Sequence, residues 1–190
     1  RAAEAIGYPI VLKLVADEVP HRSELGLVAV GLRDARDLAG AWARMAAVRA
    51  AKLGGVPVAG FVVQEMVRGA VEVLAGVTHD ADFGPLLAFG LGGVAAEAFG
   101  SVVLRTLPLR VGEAAAMIAE VPAAAMLLGG FRGEPPADVE RLAACLEALA
   151  DFAWNDRSAI AEIDLNPIKV LPRGQGCVVV DALIVPRAAR

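Results

Sequence analysis

Cysteine and histidine are scarce, with two of each among 190 residues. Cys145 and Cys177 are too few for a disulfide framework and share no CxxC spacing, so both are expected to be buried thiols. His21 and His79 are the only imidazoles, and nothing in their spacing pairs them, which argues against a zinc site. Positive charge is short as well. A formal net charge of -4 and a pI of about 5.2 leave no clustered Lys and Arg surface of the kind a nucleic acid requires. Long hydrophobic runs are missing too: Gly, Pro and charges interrupt every candidate before the roughly 18 residues of a membrane helix. No signal-peptide pattern opens the chain, so the cytoplasm is the default expectation. Aromatic residues make up only 5%.

What is present is aliphatic. A hydrophobic fraction of 57%, mostly Ala, Val and Leu, predicts a folded protein with either one ordinary domain or two small lobes. The chain opens with Arg1-Ala2-Ala3-Glu4-Ala5-Ile6-Gly7, a helix-like pattern with no cap and no initiator Met, which reads as a fragment of something larger. Pro9 to Val15 and Gly26 to Leu32 fit buried strands, with the polar stretch Asp17 to Leu25 between them. Asp34 to Lys52 has helical spacing: Leu38, Trp42, Met45 and Val48 line one face and Asp34 serves as N-cap. Val58 to Val67 and Val71 to His79 read as an antiparallel hairpin turning at Arg68-Gly69-Ala70. Strands at Pro85 to Phe89 and Val102 to Leu107 precede helices near Gly112 to Leu128 and Pro136 to Trp154. Gly129-Gly130 and Glu134-Pro135-Pro136 are the best candidate breaks by composition.

The most informative stretch is Ala161-Glu162-Ile163-Asp164-Leu165-Asn166-Pro167-Ile168, followed after a turn by Val178-Val179-Val180-Asp181. Strand alternation sends Glu162, Asp164 and Asn166 to one face and Ile163, Leu165 and Pro167 to the other. The Pro172-Arg173-Gly174-Gln175-Gly176 turn returns a second apolar strand that sets Asp181 beside Asp164 and Asn166. Crowded carboxylates raise one another's pKa unless a cation sits among them, and a hard cation such as Mg2+ takes oxygen donors and shared phosphate ligands. The hairpin therefore predicts a metal-nucleotide site.

Other residues carry two readings each. Lys13, the one charge in Pro9-Ile10-Val11-Leu12-Lys13-Leu14-Val15, is either a rigidly placed phosphate contact or an edge-strand lysine that blocks aggregation. Glu65 in Gln64-Glu65-Met66-Val67 and Glu72 are either nucleotide contacts, with backbone groups facing an adenine edge and a carboxylate on ribose hydroxyls, or solvated turn acids. Gly90-Leu91-Gly92-Gly93-Val94-Ala95 formally fits GxGxxA. No βαβ unit follows, however, and Arg110 stands where a ribose-binding acid belongs, so the cluster is a phosphate cradle or a plain turn. His21, in Pro20-His21-Arg22-Ser23-Glu24, is a nucleophile toward phosphorus or a solvated loop imidazole.

Taken in order, Gly7 to Lys13, His21-Arg22-Ser23, Gln64 to Val67, Asp82-Phe83-Gly84-Pro85, Phe89 to Gly93 with Glu97, and Glu162 to Pro167 with Asp181-Ala182 resemble the ATP-grasp domain of ADP-forming acyl-CoA synthetases. The likeness covers nearly the whole chain, and the same family includes the succinyl-CoA synthetase β-subunit and protein lysine acetyltransferases with a fused GNAT domain. It implies an α+β ATP-grasp fold, N-terminally truncated, in which two lobes with mixed or antiparallel sheets and packed helices grip MgATP. The lobes would span 1–65 and 66–190.

The resemblance also implies roles. Lys13 would contact ATP phosphates, Glu65, Met66 and Val67 would form the adenine hinge, Glu72 would lie near the ribose, and Gly90, Gly92 and Gly93 would cradle phosphate. Asp164, Asn166 and Asp181 would serve Mg2+, and His21 would carry phosphate in exchange with ATP or ADP. Acyl-CoA and phosphate are the implied substrates, and CoA-binding and ligase domains of a parent chain or partner subunit are the implied partners; neither nucleic acid nor membrane is expected. Three departures stand out: His21-Arg22-Ser23 where the family more often has HKS, Leu27 in place of a second glycine, and Gly100-Ser101 in place of an Asp, a loss expected to weaken metal or phosphate handling. They keep open a catalytically degenerate, nucleotide-sensing module of a GNAT-type acetyltransferase. A dinucleotide-dependent oxidoreductase is the third, weaker alternative.

Overall fold

Alternation of apolar residues in Ile10-Val11-Leu12-Lys13-Leu14 makes a two-faced strand, and the computed structural model shows it as β1, Ile10–Ala16. The structure describes residues 1–16, 25–54, 56–68, 71–93, 102–122, 124, 128–130 and 135–187. The chain divides into two compact units, Arg1–Arg68 and Gly69–Arg190. Both composition-based breaks, at Gly129-Gly130 and Glu134-Pro135-Pro136, therefore fall inside the second unit rather than between units. Proline and glycine there punctuate helices that share one core, so local turn chemistry marks no domain edge.

In the first unit, β1 lies between β2 (Val28–Leu32) and β3 (Val58–Glu65), antiparallel to both. Ile10, Leu12 and Leu14 are fully buried against Ala41 and Met45 of α2 (Ala35–Lys52), with Ala3 of the short α1 (Ala2–Ile6) in the same cluster. Asp34 caps α2 as expected, accepting from the amides of Arg36 and Asp37 at 2.8 Å each. Trp42 departs from expectation. The buried line of α2 runs through Ala41 and Met45, and Trp42 is 47% exposed, stacked on Phe61 at 3.8 Å between ring centroids. An indole is too large for the gap that Ala41 fills over the sheet, so the helix turns its small residue inward.

The expected hairpin of Val58–Val67 with Val71–His79 does not form. Among the described residues β3 pairs only with β1, through Ile10 opposite Glu65 and Lys13 opposite Val62, while β4 (Val71–Asp80) pairs with β5 (Gly84–Leu91) and β7 (Ile160–Val170). Both are strands, but each finds its larger apolar surface in a different unit, and Met66 to Arg68 close the first unit.

The second unit holds the sheet order β6-β5-β4-β7-β8, with β6 at Val102–Thr106, β8 at Cys177–Val179 and β9 at Ala182–Pro186 also on β7. All its pairings are antiparallel. One sheet face packs Val73, Ala75, Val77, Leu87 and Phe89 against α3 (Glu113–Glu120) and α4 (Val139–Asn155). Leu142, Leu146, Leu149 and Ala153 recur at helical spacing along the buried stripe of α4. The turn between β4 and β5 is built by Asp80, whose side chain accepts from Asp82 and Phe83. His79 sits on the helix-covered face, with Nδ1 3.0 Å from the Ala161 carbonyl, to which it donates.

Asp138 ties α4 to the hairpin turn. It caps the helix through the Arg141 amide at 3.3 Å and also accepts from the amides of Gly174 at 3.0 Å and Gly176 at 2.8 Å. Gly174 and Gly176 take positive φ, 83° and 86°, which the turn requires and side chains resist. The Gly176 amide above all, then those of Arg141 and Gly174, hold the Asp138 carboxyl below its usual range against the opposing effect of burial.

Candidate functional site

Each sheet has one face covered by helices and one turned away from them, and the candidate residues fall on the uncovered faces. In the first unit, Val11, Lys13 and Val15 alternate with the buried residues of β1 and are half-buried. Lys13 stands on the middle strand of its sheet, which removes the edge-strand reading of this lysine. Its cross-strand neighbours are Val28 and Val62, and Gln64 lies opposite Val11 on the same face. A lysine in this setting has an anchored stem and a restricted reach. Met66 and Val67 follow β3 half-buried, while Glu65 is exposed.

In the second unit, Glu72 and Gly76 of β4 stand opposite Lys169 and Asp164 of β7. Register therefore places two polar clusters on one face, four β4 residues apart, or about 13 Å. The first cluster is Glu72 with Lys169, an ion pair between partly exposed side chains. Gly92 lies directly over this strand: its amide donates to the Glu72 carbonyl at 2.9 Å, and a Cβ there would stand 3.2 Å from the Glu72 and Val73 backbone. Gly93 is equally close, since a Cβ would come within 2.6 Å of Glu72 Oε2. Gly90 lies within β5 opposite Leu74. The glycine cluster is thus strand end and backbone contact with Glu72, and residues 94–101, including Glu97 and Ser101, lie outside the described residues.

The second cluster is acidic. Burial first, then the charges of Glu162 and Asp181, push the Asp164 carboxyl above its usual range. Gly76 lets β4 and β7 approach closely here, because a Cβ there would come within 2.8 Å of the Ile163 carbonyl oxygen. The return strand forms as expected, with Leu171 and Gly176 closing the turn at 3.0 Å. Strict alternation does not run the length of β7. It holds from Glu162 to Leu165 and slips at Asn166-Pro167, where β7 carries one residue more than β4, so that Ile163 and Ile168 are both buried. At the slip the Asn166 amide donates to the Asp181 carbonyl at 3.2 Å and the Val180 amide to that of Pro167 at 3.1 Å. The bulge leaves the Asn166 side chain exposed and turns Asp181 toward Asp164, which feels its charge. Among the described residues no group of three or more His, Cys, Asp or Glu is arranged to hold a metal ion by itself. Two carboxylates and an amide fit a hard cation that takes its remaining ligands from water and phosphate, not a cage made by protein alone.

Sequence reasoning missed Lys169 and Asp138. Lys169 was the strand's only cation and could have been noticed, but its pairing with Glu72, 97 residues away, depends on register. His21 lies outside the described residues. Cys145 and Cys177 are half-buried and free, not sealed in the core as expected.

Each unit is built on an antiparallel sheet, and the larger one carries the acidic β-hairpin. The chain matches the ATP-grasp domain family over residues 1–185 and belongs to it. Within that family it is 34% identical to the β-subunit of acetate–CoA ligase [ADP-forming] II from Pyrococcus furiosus, over 96% of this chain and 77% of that one. It is 37% identical to acetate–CoA ligase [ADP-forming] I from Archaeoglobus fulgidus over 93% of this chain, spanning only 25% of that longer protein. Acetyl-coenzyme A synthetase 1 of Ca. Korarchaeum cryptofilum, solved with coenzyme A, Ca-AMPCP and HgCl+, superposes with a TM-score of 0.89 at 38% identity, covering 98% of this chain and 80% of that one. The same enzyme with coenzyme A and Mg-AMPPCP has its phosphohistidine segment pointing towards the nucleotide binding site and superposes at 0.80, with 37% identity and the same coverage. The chain is an ATP-grasp module of the ADP-forming acyl-CoA synthetase family, whose members are enzymes. No helix among the described residues is long and apolar enough to cross a membrane.

Proposed function

We propose that this chain binds MgATP or MgADP and exchanges phosphate with a histidine on behalf of an ADP-forming acyl-CoA ligase, with CoA-binding and ligase domains supplied by the parent chain or a partner subunit. The observation that carries the reading is the crowding of Asp164 by Glu162 and Asp181 on a sheet face turned away from the helical core. Folding has gathered negative charge where it costs stability, as a site awaiting a cation would. Asp164, Asn166 and Asp181 would hold Mg2+. When bound, Mg2+ neutralises charge on the transferring phosphoryl group. Lys13 orients the phosphates, Glu65 to Val67 present backbone groups to the base, and Glu72, steadied by Lys169, accepts from the ribose hydroxyls. Gly90, Gly92 and Gly93 keep side chains away from the phosphates. The expected lobes, 1–65 and 66–190, divide three residues before the two compact units do. Support for the phosphate step comes from the Korarchaeum enzyme, whose phosphohistidine segment approaches its nucleotide site. His21 is this chain's candidate to receive phosphate.

A thermal-shift titration with MgATP tests the binding. Ligand at 100 times its Kd adds about 2.7 kcal/mol, a Tm rise of roughly 5–10 °C for a chain of this size. The rise is expected for wild type and is lost in Asp164→Ala/Asn166→Ala. An equal rise in both proteins defeats the assignment of these residues, and no rise in either defeats the nucleotide reading. Phosphate transfer is read by acid-labile 32P labelling of the full-length parent, which His21→Ala should abolish with nucleotide affinity kept. Binding without any labelling would favour the degenerate, sensing module of an acetyltransferase.

A further inference from the structure

The two cysteines are distant in sequence but meet in the second unit. Cys177, opposite Val170 in β8, faces the helix-covered side of the sheet, and its thiol approaches the Arg141 carbonyl at 3.6 Å. In an α-helix the carbonyl of residue 141 receives the amide of residue 145. The thiol of Cys177 is therefore presented to the turn of α4 that carries Cys145. The sulfurs also feel each other: burial first, and then the Cys145 side chain, push the Cys177 thiol up to about 11. Both pack on the rim of the unit's core and are half-buried, so small oxidants reach them. The elements that bear them are already clamped by Asp138, which bonds the first turn of α4 and the turn entering β8.

We propose that Cys145 and Cys177 form a reversible intramolecular disulfide on exposure to peroxide. Two S–H bonds break and one S–S bond forms; the two electrons and two protons pass to the peroxide O–O bond, which is cleaved to two molecules of water. A thiol that keeps its proton at neutral pH is a slow nucleophile, so the reaction is slow and speeds up with alkaline pH. The product staples α4 to β8, the strand whose Val178 lies opposite Lys169 of the Glu72 pair.

Intact mass spectrometry and thiol titration of the peroxide-treated chain test this. The two thiols of wild type should vanish together, with the mass lower by two hydrogens, a linked 145–177 peptide, and a Tm higher by roughly 5 °C or more. Dithiothreitol should reverse all four changes. Cys145→Ser and Cys177→Ser should show neither the mass loss nor the Tm rise, and the wild-type readout stands if either variant fails to fold. Persistence of both thiols, oxygen addition without a cross-link, or a linkage confined to dimers would overturn the proposal.

Discussion

Asp138 and Asp164 are carboxylates of the same unit that the fold treats in opposite ways. Asp138, 5% exposed, is surrounded by three backbone amides, and the charged form is favoured. Asp164 is partly buried and feels the charges of Glu162 and Asp181, so the charged form is disfavoured. Asp138, the N-cap of α4, bonds to the turn after β7, and Asp164 lies in β7 just before the bulge. The difference separates a residue that holds the hairpin in place from one that, in the proposed reading, the hairpin holds for a cation. Stability is concentrated at one end and tension at the other, as expected where a binding site is kept at some expense to the fold.

Removing Asp138 should give the largest effect. Asp138→Ala leaves the Gly174, Gly176 and Arg141 amides without their acceptor and uncouples the turn from α4, so its Tm should fall further than that of the next two variants. The pH dependence has a definite sign. Because the folded Asp138 carboxyl lies below its unfolded value of about 3.9, its contribution is present above that pH and is lost as pH falls through the folded value. Asp138→Asn should flatten the acid limb of a plot of Tm against pH, and an unchanged limb would show that other carboxylates govern it.

A smaller loss is expected for Lys169→Met. The pair with Glu72 is partly exposed, so it contributes at most about 1 kcal/mol, which caps the Tm change at roughly 2–4 °C. If Lys169 only steadies Glu72, the variant should weaken MgATP binding, and Glu72→Gln should weaken it equally with no further loss in the double variant. Additive losses would show that the two side chains act separately.

The smallest effect has the opposite sign. A raised folded pKa means that the contribution of Asp164 is fully present below its unfolded value and is lost as pH rises through the folded one. Asp164→Asn should therefore raise the Tm of the ligand-free protein slightly at neutral pH, and this gain should fade below pH of about 4. A lower Tm at neutral pH would erase the contrast with Asp138.

Much of the fold was legible locally. A short β-branched apolar run marked β1, helical spacing with an N-cap marked α2, and the glycine-containing turn with flanking apolar strands marked the β7–β8 hairpin. The acidic cluster could be read because its carboxylates lie in one strand and its immediate return. What failed was pairing. Val58 to Glu65 and Val71 to Asp80 look like two arms of a hairpin, yet they belong to different sheets, because partner choice depends on apolar area contributed by β1 and β7 far away in sequence. The face of Trp42 failed for a related reason, since spacing defines a stripe but not which residue fits the sheet beneath it.

The sequence by itself determined the class of most elements, though not β9, together with the N-cap at Asp34 and the family, because these rest on short-range periodicity and on motifs whose order survives without coordinates. Only the tertiary structure decided that Lys13 stands on a central strand, that Lys169 meets Glu72, that Asp138 clamps a turn and that Cys145 faces Cys177. Those contacts are fixed by strand register and helix docking. Register is a long-range property: a slip of one residue, as at Asn166-Pro167, changes which side chains share a face while leaving the local sequence signal unaltered.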